Sequence, residues 1–339
     1  MQLVTSLTID ASLLRKLLRL WDKGGDRRNP FVAVLVTPLF AEPSTLRLIR
    51  EELKEKCGAI VYFDSGGYYA QQGKIAFEEL YCALRDYYQN PDNQWADWYV
   101  LPDHVPTSSD SLARVDQKVN DTITAAKMFF AEMSPFVRER TLPVIQGHTF
   151  EQVNRCIEAY RAMERTYIGF GSFGTSGANN SINVADTRSA ETVAHIACQL
   201  TKNGVHLHTF GVSTPPVIYA FQRLGIHSFD SMAWLRSAGY GKAFLPFTRA
   251  YNVSHRSTRN MALSQVEFEQ IKEHTGHCCP FCEDFSRLSR NRLYRSLHNL
   301  TAIMDTIDPD QQRDPQAIAS LIKWKSQRYY KMFEGVYLA

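Results

Sequence analysis

The chain has 339 residues, of which 44% are hydrophobic and 22% are charged. This length allows one large domain or two ordinary ones, and the composition is that of a soluble globular protein, so disordered and fibrous classes are excluded. The 38 basic and 35 acidic residues leave a formal net charge of +3, which permits nucleic-acid binding without arguing for it.

The first 30 residues are predicted to form an N-terminal helical extension. Residues 1–25 (MQLVTSLTIDASLLRKLLRLWDKGG) contain a capped amphipathic helix and lack the basic, apolar and small-residue order of a signal peptide. No apolar run approaches the roughly 20 residues that span a bilayer. Seven cysteines are too few for a disulfide scaffold in a chain of this length. These features predict a cytoplasmic protein.

Beyond residue 30, short apolar runs alternate with longer helical segments. Continuous apolar runs are typical of strands buried on both faces, and their alternation with helices predicts right-handed βαβ units in a parallel sheet. The number of units within 31–248 favours an α/β fold of the (β/α)8 barrel type, with a Rossmann-like open sheet as the alternative. The predicted strands lie at 31–36, 59–63, 98–101, 142–145, 166–168, 205–210 and 226–229, with a weaker one at 243–247, and the helical segments at 44–56, 111–136, 150–163, 187–203 and 215–224.

The alternation breaks after residue 248. Residues 249–300 combine polar loops, a cysteine cluster and an arginine-rich segment. They are therefore predicted to be an insertion that the barrel carries. Residues 301–339 are predicted to form C-terminal helices that complete the barrel.

Polar residues or glycines follow most of the predicted strands. Because the carboxyl ends of barrel strands converge on one rim, where such barrels build their active sites, we expect these residues to share a pocket. A single Asp after a strand is more often a helix cap or turn former, and a glycine there can simply permit a positive φ, but the whole set favours a functional rim. The set comprises Asp64, Asp103, Gln146, Gly147, Gly169, Gly171, Gly211 and Asp230.

One glycine pattern does not indicate a dinucleotide site. Residues 169–174 (GFGSFG) match the G-x-G-x-x-G pattern of dinucleotide-binding proteins. The residues that follow, 175–180, predict a loop and not the helix whose N-terminus would face a pyrophosphate.

Three cysteines and two histidines near the C-terminus indicate a metal site. Cys279 and Cys282 have the C-x2-C spacing that places two thiolates on one tetrahedral centre, and His277 and His298 would complete it. Four protein ligands leave no position for water, so the metal, expected to be Zn²⁺, would be structural and not catalytic. A redox C-x-x-C pair and inert buried thiols are the alternatives.

An arginine-rich segment follows the cysteine cluster directly. Residues 285–298 (FSRLSRNRLYRSLH) contain four arginines and no acid, and they are predicted to be helical. A solvated helix face is one interpretation. A phosphate-binding surface beside the rim is the other, because guanidinium groups suit phosphate contacts. The four residues are Arg287, Arg290, Arg292 and Arg295.

Together these motifs resemble the tRNA-guanine transglycosylase superfamily over about residues 30–300. Residues 64–68 (DSGGY) are similar to the family's D-S-G-G-F signature, and Asp103 stands where the family has a base-recognising aspartate. The metal segment is similar to C-x-C-x2-C…H, with His277 in place of the first cysteine. Segments similar to the family's V-Q-G, M-G-V-G-T-P and G-x-x-x-F-D motifs lie at 144–147 (VIQG), 210–215 (FGVSTP) and 226–230 (IHSFD).

Departures from the family pattern indicate the subfamily. Residues 231–236 (SMAWLR) replace the C-x-M-P-T-R-N-A-R segment with which bacterial members help to hold the anticodon loop. Residues 169–171 (GFG) replace the Gly-Gly-Leu strand end. The sequence looks most like the DNA-modifying paralogues, which exchange guanine in DNA for a 7-deazaguanine such as preQ0 or a derivative. A tRNA-specific enzyme is the alternative.

The resemblance implies base exchange through a covalent glycosyl ester. Asp230 would be the nucleophile at C1′ and Asp64 the general acid/base. The target nucleotide would have to leave the base stack, so flipping or a single-stranded substrate is expected. Residues that would bind the base are Ser65, Tyr68, Asp103, Gln146, Gly147, Gly169, Gly171 and Phe210, with Tyr68 and Phe210 on its two faces.

The resemblance also implies partners and a location. DNA is the expected nucleic acid, accessory DNA-modification proteins are further expected partners, and no membrane is involved. The location would be the cytoplasm of a bacterium or of a phage-infected host. Two other functional classes remain open, namely a barrel N-glycoside hydrolase that uses water, and an inactive subunit that only binds nucleic acid.

Overall fold

The structure is a computed structural model that describes residues 1–24, 28–175, 186–212, 214–254, 262–308 and 314–338. Several sequence predictions fall partly outside these ranges. They concern Ser213 within the motif at 210–215, most of the loop predicted at 175–180, and parts of the predicted N-terminal extension at 1–30, insertion at 249–300 and C-terminal helices at 301–339.

Parallel strands form a closed barrel, as the alternating pattern predicts. These are β1 (Gln2–Ser6), β2 (Ala33–Val36), β3 (Ile60–Phe63), β4 (Trp98–Val100), β5 (Thr141–Leu142), β6 (Val144–Ile145), β7 (Tyr167–Phe170), β8 (His206–Thr209) and β9 (Ser228–Ser231). Their order in the sheet is β5-β4-β3-β2-β1-β9-β8-β7-β6, and all their pairings are parallel. Pro143 separates β5 from β6 because proline has no N–H to donate to a sheet. Segment 141–145 therefore joins the two ends of this order and closes a (β/α)8 barrel.

Helices cover the outside of the barrel and follow the segments predicted from apolar periodicity. Thr149 begins one of them with a reciprocal capping box to Gln152, which fixes the start of that helix. The helices are α1 (Ala11–Gly24), α2 (Pro43–Leu48), which continues as a π-helix (Ile49–Glu55), α3 (Gly67–Gln71), α4 (Phe77–Gln89), α5 (Leu112–Glu132), α6 (Pro135–Glu139), α7 (Phe150–Ala162), α8 (Thr187–Thr201), α9 (Pro215–Arg223), α10 (Ala233–Gly239), α11 (Gln265–Thr275), α12 (Phe285–Arg290), α13 (Arg292–Ile307), α14 (Pro315–Lys325) and α15 (Gln327–Tyr337).

The N-terminal segment differs from its prediction as a helical extension. It begins with β1, which pairs with β2 on one side and with β9 on the other. The predicted weak strand at 243–247 is not part of the barrel. Its first residue belongs instead to a small antiparallel pair, β10 (Lys242–Ala243) with β11 (Tyr251–Asn252). The five residues of β1 precede the strongly amphipathic helix α1, and the helical periodicity of α1 led the whole segment to be predicted as helical.

The barrel interior is packed with side chains, so it forms a core and not a channel. Tyr62 and Tyr167 lie there with their hydroxyl oxygens 3.0 Å apart. Asp64, Asp103 and Gln146 follow the carboxyl ends of β3, β4 and β6, which places them at the carboxyl rim. The buried apolar and aromatic members of this interior cluster are Val4, Ala33, Leu35, Tyr62, Leu142 and Tyr167.

The predicted arginine-rich helix is two helices. Asn291 ends α12 and caps α13, since its side chain accepts hydrogen bonds from the backbone of Leu293 and Tyr294. The long helix α13 packs against α10 and α9. Among the helices of the described residues, none is long and apolar enough to cross a membrane.

Candidate active site and metal centre

Asp230 is a buried carboxylate held by donors from β1 and from the turn after β8. Its Oδ2 accepts a hydrogen bond from Ser6 Oγ at 2.7 Å, and its Oδ1 accepts one from the backbone N–H of Gly211 at 2.9 Å. The sequence predicted Asp230 just after a strand, whereas the residue lies within β9. Two fixed donors stabilise the ionised carboxylate and orient it at the rim.

Asp64 lies at the end of β3 in a different environment. Its Oδ2 accepts one side-chain hydrogen bond, from Thr37 Oγ1 at 2.9 Å. Burial, together with the negative charges of Asp103 and Asp230, raises the pKa of Asp64 to about 7, although hydrogen bonds from Thr37 and Gly66 oppose this. A carboxyl group with this pKa exchanges a proton readily near neutral pH.

Asp103 and Gln146 are joined in one polar network, as the shared rim predicts. Gln146 Nε2 donates to Asp103 Oδ2 at 2.5 Å, and Ser65 Oγ donates to Asp103 Oδ1 at 2.5 Å. Burial raises the pKa of Asp103 to about 6 in spite of these donors. Ser172 extends the network, because its hydroxyl donates to Gln146 Oε1 and accepts the backbone N–H of Gly147 at 3.0 Å.

Gly169 and Gly171 lie where a side chain would collide with neighbouring residues. Both N–H groups are already donated within the barrel, from Gly169 to Pro143 O at 2.8 Å and from Gly171 to Ile145 O at 3.1 Å. These two N–H groups are therefore already satisfied within the barrel. A Cβ at Gly171 would overlap Gln146 Nε2, and a Cβ at Gly169 would overlap the Phe210 ring. The absence of a side chain at Gly171 and at Gly169 leaves the space that Gln146 and Phe210 occupy.

The two predicted aromatic faces of the base site differ in exposure. Phe210 is half-buried and packs over Gly169, with its ring centroid 4.5 Å from that of His208. Tyr68 is 38% exposed, and the Arg236 guanidinium lies 5.5 Å from its ring centroid. Tyr68 therefore stands on the outer side of the rim, where a cation from α10 covers one face of the ring.

The predicted metal ligands lie together in one buried cluster. His277, Cys279, Cys282 and His298 each offer a ligand atom, and these atoms lie within 4.8 Å of one another. Hydrogen bonds from Cys279, His277 and His298 hold the pKa of Cys282 well below its usual range, which favours the thiolate that binds metals. The cluster could hold a metal ion such as zinc.

In each histidine of the cluster, the ring nitrogen that does not face the other histidine has a polar partner of its own. His277 Nδ1 lies 2.5 Å from Asp305 Oδ2, and His298 Nε2 lies 2.7 Å from the carbonyl oxygen of Phe244. Partners of this kind fix the orientation of metal-binding histidines. Arg28 forms an ion pair with the other oxygen of Asp305, so the cluster is tied to the segment before β2.

The four predicted phosphate-binding arginines do not share one surface. Arg287, Arg290 and Arg292 are exposed. Arg295 is buried, and its guanidinium donates hydrogen bonds to carbonyl oxygens of Ala238, Leu288 and Ser289. The prediction for Arg295 is therefore wrong, because this residue joins α13 to the ends of α10 and α12.

Comparison with protein families assigns the chain. The family described as queuine tRNA-ribosyltransferase matches residues 86–308, about two thirds of the chain. The chain belongs to this family. Members are transglycosylases, that is, pentosyltransferases, so the protein is an enzyme that acts on a nucleic acid and a guanine-like base. The matched region contains Asp103, Gln146, Asp230 and the metal cluster, whereas Asp64 precedes it. A search of the curated proteins found no match.

Sequence reasoning missed several polar residues of the site. Ser6 and Thr37 contact the two key carboxylates, Ser172 holds Gln146, and His208 lies beside Asp230. A signal existed for Ser6, since Gln2–Ser6 has a high content of strand-forming residues directly before a helix. Ser, Thr and His at the other positions are compatible with ordinary strand ends, so the sequence carried no comparable signal there.

Proposed function

We propose that the protein exchanges guanine in DNA for a 7-deazaguanine such as preQ0 or a derivative, with Asp230 as the nucleophile and Asp64 as the general acid/base. One observation carries the assignment of roles. Asp230 receives fixed donors from Ser6 and Gly211, whereas the pKa of Asp64 is raised to about 7. Paired carboxylates whose environments differ in this way commonly divide into an ionised group and a proton carrier.

In the first half of the reaction, a carboxylate oxygen of Asp230 attacks C1′ of the target nucleotide. The C1′–N9 bond breaks, its electron pair goes to the leaving guanine, and Asp64 donates its proton to that base. The product is a glycosyl ester on Asp230. A carboxylate suits this step because it also stabilises oxocarbenium character at C1′.

In the second half, the 7-deazaguanine takes the place of guanine. Asp64, now ionised, removes the proton from the nitrogen of the incoming base, and that nitrogen attacks C1′. The bond between C1′ and the Asp230 oxygen breaks, which regenerates the carboxylate. The glycosidic bond is exchanged and the sugar-phosphate backbone stays intact.

The network around Asp103 is suited to read the polar edge of a purine. Asp103 and Gln146 supply acceptor and amide groups that Ser65 and Ser172 hold in place. Gly147 is fixed by its N–H bond to Ser172. Phe210 would contact one face of the base, and Tyr68 would contact the other from the outer side of the rim.

Features around α10 favour DNA over tRNA. In bacterial members, the segment after the nucleophile helps to hold an anticodon loop. In this chain Trp234 is fully buried and Arg295 binds the carbonyl oxygen of Ala238, so the same stretch is a short helix fixed to α13. Exposed Arg287, Arg290 and Arg292 would contact phosphates beside it, in a duplex with a flipped nucleotide or in a single strand.

Zn²⁺ is the metal proposed for the cluster. Two thiolates and two imidazoles are a typical structural zinc set. With four protein ligands, the ion would hold the segment around Cys279 and Cys282 in place and would take no part in the exchange.

Labelled guanine and labelled preQ0 should be incubated separately with duplex DNA, single-stranded DNA and tRNA. We expect incorporation into DNA; incorporation into tRNA alone would replace the proposed substrate.

Denaturing electrophoresis with the reactive nucleic acid then tests the roles of Asp230 and Asp64. Asp230→Asn should abolish both the covalent adduct and exchange, whereas Asp64→Asn should form some adduct and stall. An adduct that persists in Asp230→Asn and vanishes in Asp64→Asn would reverse the roles, and release of guanine without incorporation would indicate a hydrolase.

A further inference from the structure

His208 is a fully buried histidine whose role the proposed reaction does not yet include. Its side chain points from β8 into the barrel, where Nδ1 lies 2.8 Å from Ser228 Oγ. Nε2 lies 3.6 Å from Asp230 Oδ1 and has no hydrogen-bond partner among the residues that the structure describes. A buried ring nitrogen directed at the carboxylate of the proposed nucleophile calls for a physical account.

A chain of three hydroxyl groups restricts the protons of His208. Tyr62 and Tyr167 hydroxyl oxygens lie 3.0 Å apart, the Tyr167 hydroxyl lies 2.5 Å from Ser228 Oγ, and Ser228 Oγ contacts His208 Nδ1. Each hydroxyl has one hydrogen to donate. If the chain donates toward His208, Nδ1 accepts and the ring proton is on Nε2. If the chain donates the other way, Nδ1 carries a proton.

The neighbouring carboxylate decides between these arrangements. A neutral His208 with its proton on Nδ1 would turn a bare lone pair of Nε2 toward the lone pairs of Asp230 Oδ1, which is repulsive. The neutral ring with its proton on Nε2 and the doubly protonated ring both direct an N–H at Oδ1 instead. Both favourable states therefore present the same donor to Asp230.

We propose that His208 is a positioning residue for Asp230. Its Nε2–H and the Gly211 N–H both face Oδ1, whereas Ser6 is the side chain that donates to Oδ2. Oδ1 is thereby anchored on two sides, and Oδ2 retains a lone pair for C1′. This inference rests on the proposed function, because it assigns the attacking oxygen of the proposed nucleophile.

The groups that face His208 are few among the described residues. Tyr62 of β3 stacks at a centroid distance of 5.8 Å, and Tyr167 of β7 lies at 6.4 Å. Burial raises the pKa of both phenols, so they stay neutral near pH 7. His227, beside the start of β9, has a pKa lowered by burial and by neighbouring histidines, so it is also neutral near pH 7. Asp230 is the acid that faces the ring.

Three variants of the full chain test this role. His208→Leu removes the donor, His208→Gln places an amide N–H near the position of Nε2, and Ser228→Ala removes the partner of Nδ1. The readout is the rate of adduct formation with a guanine-containing oligonucleotide, DNA or tRNA as the exchange assay selects, measured as a function of pH.

We expect His208→Leu to slow adduct formation by about ten- to a hundredfold, as removal of an N–H donor that faces a charged carboxylate predicts, and to move the acidic limb of the pH profile of adduct formation upward. His208→Gln should restore most of the rate and the limb. Ser228→Ala should show a smaller loss with the same upward shift, and it serves if His208→Leu does not fold.

The role of His208 would be overturned if His208→Leu kept the wild-type rate of adduct formation and the wild-type acidic limb of the pH profile. If His208→Leu does not fold, the same result in Ser228→Ala would overturn it. Failure of Gln to restore the acidic limb would also overturn it, because it would reduce His208 to a packing role. Asp230→Asn separates the two proposals. An adduct that survives in Asp230→Asn overturns the proposed function itself, whatever the His208 variants do.

Discussion

Ser6 donates a hydrogen bond to the carboxylate of Asp230 at 2.7 Å, although 224 residues separate them in the sequence. The contact exists because β1 pairs directly with β9, with Val4 opposite Asp230 in the register. The first strand of the barrel therefore holds the proposed nucleophile.

Ser6→Ala should lower the rate of exchange. The change removes a donor to an ionised group, whose loss typically costs about 1.5–3 kcal/mol, or about ten- to a hundredfold in rate if the bond is retained in the transition state. Steady-state kinetics should show the loss mainly in kcat, since Ser6 does not touch the incoming base in the proposed reaction. A ten- to hundredfold rise in KM for the incoming base, with kcat unchanged, would contradict this expectation.

Asp64 should destabilise the folded protein at alkaline pH. Its pKa is raised to about 7 in the fold, above the ordinary value of 3.8. Between these values the folded state binds a proton that the unfolded state lacks, so stability increases as pH falls through 7 toward 4. Asp64→Asn removes the penalty and should stabilise the protein by a few kcal/mol at pH 8, and much less at pH 4.5. Urea unfolding at both pH values is the measurement, and equal gains would contradict the raised pKa.

Gly171→Ala should disturb base recognition without unfolding the barrel. The new Cβ would overlap Gln146 Nε2, which must then release Asp103. We expect KM for the incoming base to rise about tenfold or more, because a bond to a charged group is lost. Gly335→Ala is the matched control, since no atom lies within 4 Å of the added Cβ there. Identical kinetics for both variants would remove Gln146 from base recognition.

The two adjacent cysteines should differ in metal binding. Cys279 is buried in the cluster, whereas Cys278 is exposed. Metal analysis should show about one zinc per chain in Cys278→Ala and a loss of zinc in Cys279→Ala; the reverse pattern would make the ligand set wrong.

Asp305→Asn should lower the affinity for the metal by about 10–100-fold in a chelator competition, because it weakens the hydrogen bond that orients His277.

Arg287 and Arg292 should contribute to the salt dependence of nucleic-acid binding. Replacing both with glutamine should reduce the slope of log K against log salt by about 0.9 per lost phosphate contact for a duplex, or about 0.7 for a single strand. Arg223→Gln is the control. Its neighbour Gln222 contacts Ile307, which lies at the opposite end of α13 from Arg292, so Arg223 is remote from the proposed phosphate contacts. An unchanged slope in the double variant would remove this surface from the interface.

The sequence was sufficient for the barrel but not for the site's internal contacts. Apolar periodicity and a capping box indicate helices such as Phe150–Ala162 because these signals are local. The bond between Ser6 and Asp230 depends on ring closure, which no local pattern encodes. Arg295 illustrates a related limit, since spacing alone does not tell which arginines of a helix face its neighbours. The metal cluster was predictable because close Cys and His spacing reflects coordination chemistry directly.

Pairing of β1 with β9 also affects the order in which the chain can fold during synthesis. Gln2 of β1 is made before its strand partner Ser228, which follows more than two hundred residues later. Trp21 of α1 stacks on Phe281 at a centroid distance of 5.4 Å, so that helix gains its neighbour later still. Contacts with such separation pay loop-closure entropy before they contribute stability. Strand β1 therefore stays unpaired on one side until β9 has left the ribosome.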